Sequence, residues 1–293
     1  MKKRVFLLVI LLLCGYVAVQ QLAQGALKKV DDQYDQTQEK TPKEGYQTIK
    51  IAKDQVYHGN LLLVNKEYPV QKEAIKSDVV LLSQNKDLVQ GYRLQDDTIQ
   101  ASESMVRVFK EMVHAAQEDN VSNFIINSGF RSLEEQEQLH NEMAPGLAMP
   151  AGFSEHNLGL ALDIGSTQMK MERAPEGKWL EKNSWKYGFI LRYPKDKTEI
   201  TGTMSEPWHY RYVGLPHSAI IKKNNFSLEE YLAYLREQKQ IVVPIDGETY
   251  EIYYYPIYEK TTIDVPIRKH YQISGDNMGG VIMTVFSDKL DKE

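Results

Sequence analysis

An α+β architecture follows from three features of this 293-residue sequence. Met105, Val108, Phe109, Met112, Val113 and Ala116 recur at helical spacing, which marks an amphipathic helix with one face on a core. Short β-prone runs bounded by Gly, Pro and Ser follow it, at residues 124–126, 158–165, 185–194 and 206–214. From about residue 240 the texture becomes β-prone with turn signals, reading as paired hairpins. Hydrophobic residues make up 42% and charged residues 26%, ordinary for a globular chain, so wholesale disorder and fibrous repeats are excluded. The length allows one large domain or two modest ones.

Taken in order, the chain opens with Lys2, Lys3 and Arg4 before an apolar run over residues 5–19. A basic flank and a short apolar core make a secretory signal or a membrane anchor. The run is shorter than the roughly 20 residues of a comfortable membrane-spanning helix. Ala23 and Gly25 offer only a poor cleavage site, so an uncleaved or inefficiently cleaved anchor over 1–25 is expected, with the rest of the chain sent across the membrane, anchored there or secreted. Cys14, the single cysteine, lies in that run and reads as a small hydrophobe; bulky Leu13 before it argues against a lipoprotein. Residues 26–56 are polar without an apolar period and read as a spacer. Apolar density rises at Leu61, Leu62, Leu63 and Val64, so the folded unit is expected to span 57–239, with a β-rich extension over 240–293.

Within that unit, Ser132 and Glu135 form a capping-box pattern, which puts Arg131 in the turn entering a helix. Residues 144–154 read as a loop. Leu158, Leu160 and Leu162 alternate against Gly159, Ala161 and Asp163, a strand with one apolar face. Ser227 and Glu230 open a second capped helix over 227–238. Asp246-Gly247 is a hairpin turn, and residues 265–286 read as a second hairpin.

The net charge of -5 argues against a nucleic-acid partner held by a basic surface. One cysteine forbids an intrachain disulfide and a thiolate zinc site, so any metal must be held by His, Asp or Glu. Ser154-Glu155-His156 with Asp163, and Glu206-Pro207-Trp208-His209, supply such groups. His156, Asp163 and His209 would make a three-ligand zinc site with a position left for water. Glu206, three residues before a ligand, can reach that water as a base, the usual arrangement for amide hydrolysis. Each residue also has a plainer reading: His156 bonded to loop backbone, Asp163 capping a strand end, His209 half-buried among aromatics. Together, at the edges of buried strands beside Gly, Pro and small residues, they are more specific. Trp208 and Tyr210 read as packing residues by default, as do the C-terminal tyrosines. His140 is expected to face solvent, and His217 to lie at the surface or behind the ligands.

The segments SGFRS (128–132), SEHNLGLALDIG (154–165), YGFILRYP (187–194) and EPWHYRYVG (206–214) resemble the signatures of VanY-type D-alanyl-D-alanine carboxypeptidases. These are zinc peptidases of the superfamily that includes lysostaphin-like and hedgehog-like folds. The resemblance covers roughly residues 57–238, and LLLVNKEYPV (61–70) resembles the family's opening strand. It implies zinc held by His156, Asp163 and His209, with Glu206 as the base. It implies that Arg131 polarises the scissile carbonyl or clamps the substrate carboxylate. Ser128, Gln136 and Ser154 match positions near the substrate, and Phe130 stands where many relatives have Tyr, which puts detailed specificity in question. The implied fold is a small, mostly antiparallel sheet holding zinc in a groove, with packed helices and a C-terminal β-hairpin extension. The implied reaction is hydrolysis of the terminal D-Ala-D-Ala bond of peptidoglycan stem peptides in the cell-wall space of a bacterium. Two rivals stand beside it: L,D-carboxypeptidase or endopeptidase action on the same stems, and a non-catalytic wall-binding module. The complete ligand set and Glu206 argue against the last. The sequence leaves the oligomeric state open.

Overall fold

The computed structural model describes residues 44–144 and 148–286. The expected anchor (1–25), Cys14 and the spacer as far as residue 43 lie outside the described residues. Among the described residues no helix is long and apolar enough to cross a membrane.

The described strands begin with β1 (Tyr46–Lys50), β2 (Val79–Leu81), β3 (Arg93–Leu94) and β4 (Gln100–Ser102). Helix α1 (Glu103–Glu118) follows, capped by Ser102, whose Oγ accepts from Met105 N. Met105, Phe109, Met112, Val113 and Ala116 of the predicted apolar period are buried; Val108 is only half-buried, and Val106, outside the predicted set, is buried in its place. Burying each of the larger ones contributes roughly 1.5–3 kcal/mol. Next come β5 (Phe124–Ser128), α2 (Leu133–Glu142), β6 (Ala161–Ser166), α3 (Pro175–Asn183), β7 (Phe189–Leu191), α4 (Thr198–Thr201) and β8 (His209–Tyr212). Both predicted capping boxes form, at Ser132–Glu135 on α2 and at Ser227–Glu230 on a later helix.

Five strands make the central sheet in the order β3-β5-β6-β8-β7. Only β3–β5 is parallel; the other pairs are antiparallel. Helix α1 packs on this sheet through Phe109, which meets Phe189 edge to face. The strand expected from Leu158 starts later, at Ala161. Residues Glu155–Leu158 instead wind into one 3-10 turn, ended by Gly159 at φ +84°, a left-handed conformation natural to glycine.

Helices α5 (His217–Asn224) and α6 (Leu228–Gln238) lead into β9 (Gln240–Ile245), β10 (Glu248–Pro256), β11 (Thr262–Pro266), β12 (Tyr271–Gly275) and β13 (Gly280–Phe286). Four of these form an antiparallel sheet in the order β12-β13-β10-β9. Asp246 and Gly247 both take positive φ, 51° and 84°, as the tight hairpin predicted there requires. The sheet is not a detached appendage. Ile252, Tyr254 and Ile282 share one core with Leu228, Tyr231, Leu232 and Leu235 of α6.

Two stretches differ from expectation. Tyr46–Lys50, inside the stretch expected as spacer, is strand β1 and pairs antiparallel with β11. Ile51 then packs with Ile263, Val265 and Val285, and the compact unit begins at Gly45. Residues 61–64, matched to an opening strand, are buried but join no ladder. Their side chains alternate between two cores, Leu61 and Leu63 against α5 and α6, Leu62 and Val64 against Leu158 and Leu160. Their backbone bonds elsewhere: Leu63 N donates to Asp276 O, and Leu63 O accepts from Asn277 Nδ2 in the β12–β13 turn.

Candidate metal centre

The cluster is built from one 3-10 turn and two neighbouring strands of the central sheet. Ser154 caps the 3-10 turn, its Oγ accepting from His156 N at 3.3 Å, and so sets where the His156 side chain leaves the backbone. His156 Nδ1 lies 2.6 Å from Gly129 O. Only glycine fits at 129, since a Cβ there would stand 2.1 Å from Gln100 O. With Nδ1–H donating to that carbonyl, the Nε2 lone pair is left facing Asp163 Oδ1 at 3.4 Å. Asp163 on β6 is register-paired with His209 on β8, so the two side chains share a face. His209 Nδ1 lies 3.1 Å from the same Asp163 oxygen.

One ligand atom from each of His156, Asp163 and His209 lies within 4.8 Å of the others. Tetrahedral zinc with bonds of about 2.0–2.1 Å places neighbouring donors about 3.3 Å apart. The two Asp163 contacts, at 3.4 and 3.1 Å, match that spacing. Two imidazoles and one carboxylate are a donor set that zinc accepts, with a fourth position free. The residues present fit the ion.

Charge is arranged to match. Burial opposes ionisation of Asp163, but the two imidazoles outweigh it and hold the carboxyl far below the usual carboxylate range. Burial pushes the His156 pKa down, with the Arg131 charge adding to that effect, so this ring stays neutral and able to ligate. His209 is buried too, yet its bonds to Asp163 and Glu155 raise its pKa to about 9. Glu206 Oε2 stands 3.8 Å from His209 Nδ1. Burial lifts the Glu206 pKa above the ordinary glutamate value, helped by the negative charges of Asp163 and Glu155. A carboxylate tuned upward is a better proton acceptor near neutral pH.

Arg131 is brought to the same place, within the field of Asp163 and Glu206. Its guanidinium is gripped from behind: Nε donates to Gln136 Oε1 at 2.9 Å and Nη1 to Ser128 Oγ at 3.0 Å. Gln136 is buried on the inner face of α2, and its Nε2 donates to Met149 O at 2.6 Å. Ser128, Gln136 and Ser154, expected near the substrate, thus all bond within the protein.

The predicted site residues are therefore gathered together, while other expectations differ. His217 is fully interior, bonding the Tyr231 hydroxyl at 2.7 Å and Thr284 Oγ1 at 3.0 Å. Tyr231 comes from α6, and Thr284 reaches His217 because β13 of the C-terminal sheet covers it. His140 is half-buried and bonds Ala148 O. Tyr210 packs in the core, whereas Trp208, beside the ligand His209, is 38% exposed.

Sequence reasoning missed a buried ionic group behind His209. Glu155, Arg192 and Arg211 have side chains with 0% exposure. Glu155 Oε1 accepts from Arg192 Nε at 2.8 Å and Arg211 Nη1 at 2.7 Å. Burial disfavours the Glu155 anion, but the two arginines outweigh it and keep it ionised. Arginines inside the apolar runs 189–193 and 209–213 were the available signal, because a buried guanidinium requires an acid partner.

With this geometry in place, comparison with known proteins is informative. The family VanY, D-alanyl-D-alanine carboxypeptidase, matches residues 98–215. A D-alanyl-D-alanine carboxypeptidase of Enterococcus faecium is 53% identical over 98% of this chain and 97% of its own length. Among solved structures, the vancomycin-resistance D,D-dipeptidase VanXYg, in complex with a phosphinate analogue of D-Ala-D-Ala, superposes with a TM-score of 0.71. It is 32% identical, and the match covers 82% of this chain and 99% of that one. VanYB in complex with D-alanine-D-alanine gives a TM-score of 0.50 at 31% identity, over 59% of this chain and 97% of that one.

Proposed function

This chain belongs to the VanY family of D-alanyl-D-alanine carboxypeptidases, and on that premise we propose that it removes the terminal D-alanine from peptidoglycan stem peptides ending in D-Ala-D-Ala. The observation that carries the proposal is the convergence of Glu206 and Arg131 on the His156–Asp163–His209 cluster. Those three residues would hold zinc. When bound, the ion supplies Lewis acidity, polarising the scissile carbonyl and acidifying the attacking water.

The chain's own groups do the rest. Glu206 takes a proton from the water as the new C–O bond forms. It then hands that proton to the nitrogen of the departing D-alanine as the C–N bond breaks. Arg131, held by Ser128 and Gln136, stabilises the negative charge developing on the carbonyl oxygen. Because two neutral side chains already orient the guanidinium, little reorganisation is left for the reaction itself. Lys2, Lys3, Arg4 and the apolar run after them support a membrane-held position facing the cell wall, where this substrate lies.

The test uses zinc-loaded protein and a defined pentapeptide stem, with free D-alanine quantified. Release is expected, and Glu206→Gln should lower kcat by about 10²–10⁴-fold while zinc content stays the same. A fully zinc-loaded chain that releases no D-alanine from any stem peptide overturns the assignment.

A further inference from the structure

We propose that Glu155 is a positioning residue for the metal centre, fixing His209 as the Nε2–H tautomer so that Nδ1 alone is presented to the ion. The inference rests on the metal site described above and concerns how it is held. His209 has two edges. Nδ1 faces Asp163 at 3.1 Å, and Nε2 faces Glu155 Oε2 at 3.3 Å. Both edges thus face carboxylates, which accept and do not donate; with the ion seated between Nδ1 and Asp163, the single proton of the neutral ring stays on Nε2, where Glu155 accepts it. A carboxylate behind a ligating imidazole is a recognised way of orienting the ring and strengthening its bond to the metal.

What distinguishes Glu155 from an incidental neighbour is how it is held. Its two oxygens have separate duties. Oε1 takes both arginines, and Oε2 is left for His209. Each arginine is itself fastened. Arg192 forks onto both oxygens of Glu229 in the first turn of α6, at 2.9 and 2.6 Å. Arg211 donates through Nη2 to Asn60 O at 3.0 Å and Leu62 O at 2.8 Å. Two arginines and two glutamates cancel in charge, so the group stays balanced when an ion takes the place of the second proton on His209 and leaves the ring neutral. The connections also tie the ligand-bearing pieces to one another. Glu155 precedes His156 in the 3-10 turn, Arg211 follows His209 by two residues on β8, and Arg192 N donates to His209 O at 3.1 Å.

This arrangement explains why residues 61–64 lie extended without a ladder. The Leu62 carbonyl, with that of Asn60 just before the segment, is taken by Arg211, and the β12–β13 turn holds Leu63 through Asp276 and Asn277. The C-terminal sheet is thereby part of the support for a metal ligand lying far from it in sequence.

The experiment uses the full chain with 15N-labelled histidine, loaded with zinc, and reads the ring nitrogens by long-range proton–nitrogen correlation. The His209 signals are expected to show a protonated Nε2 and a metal-bound Nδ1. In parallel, zinc affinity is measured by chelator competition for the parent and for Glu155→Gln. The variant is expected to bind zinc about 10–100-fold more weakly and to show a mixed His209 tautomer. A purely structural role would lower the melting temperature without changing the tautomer. Metal on Nε2 in the parent overturns the proposal, even if the variant fails to fold. So does a folded Glu155→Gln with parental zinc affinity and an unchanged His209 spectrum. A parent that binds no zinc overturns the metal reading itself.

Discussion

Gln136→Met tests how the oxyanion-stabilising arginine is aimed. The glutamine is 1% exposed, accepting from Arg131 Nε and donating to Met149 O. Methionine fills similar space but accepts only weakly and donates nothing. Losing a bond to a charged group costs about 1.5–3 kcal/mol, and leaving the half-buried Met149 carbonyl unpaired adds about 1 kcal/mol. Partial relaxation brings the expected loss of stability to about 2–4 kcal/mol. Arg131 keeps its bond to Ser128 but loses the tether at Nε, so its guanidinium can swing away from the developing charge. Removing an oxyanion donor outright costs about 10²–10³-fold in kcat. Misorienting one should cost a fraction of that, about 10–100-fold. The assay is D-alanine release at saturating and limiting stem peptide, with urea unfolding alongside. If Gln136 acts through Arg131, kcat falls and KM holds. A raised KM with intact kcat means that Gln136 binds substrate directly and refutes the reasoning.

Two further predictions concern the support of the fold. Burial depresses the His217 pKa from 6.5 to about 3. The unfolded imidazole therefore takes up a proton below pH 6.5 that the folded one refuses, so this group's stabilisation is complete above pH 6.5 and is lost as pH falls towards 3. Between pH 7 and pH 5 the stability advantage of the parent over His217→Gln should shrink by about 2 kcal/mol; urea midpoints that keep the same separation at both pH values would count against it. A chain starting at residue 52 loses β1 and Ile51 and uncovers Ile263 and Val265, 2% and 0% exposed. It should be less stable by about 3–6 kcal/mol, with fast amide exchange along β11. An unchanged denaturation curve would return residues 46–51 to the role of a passive spacer.

Removing one member of a buried pair leaves its partner charged and unpaired, at about 3–5 kcal/mol. Activity loss in Arg192 or Arg211 variants therefore mixes unfolding with mispositioning of His209. The histidine spectrum separates the two, which melting temperature alone does not.

Local chemistry was readable directly from the residues. The apolar period of α1, the caps at Ser132 and Ser227 and the turn at Asp246-Gly247 each act over a few residues, so a short window of sequence contains the whole interaction. The ligands His156, Asp163 and His209 were legible because their residue types and their flanking small residues survive as a motif. Pairings between distant segments were not. Nothing near Tyr46 marks its partner as Pro266, and the 61–64 run has the composition of a strand while its Leu62 carbonyl serves Arg211. Nothing in the polar sequence around Gln136 marks it as buried, because burial depends on what the chain returns to place over it. Glu155 reaches Arg192 and Arg211 across separations of 37 and 56 residues, and only closure of the sheet sets the oxygen of one against the nitrogens of the others. The residues that meet the ion are declared by their own chemistry, whereas those that aim the ligands acquire a role only from what folding places behind them.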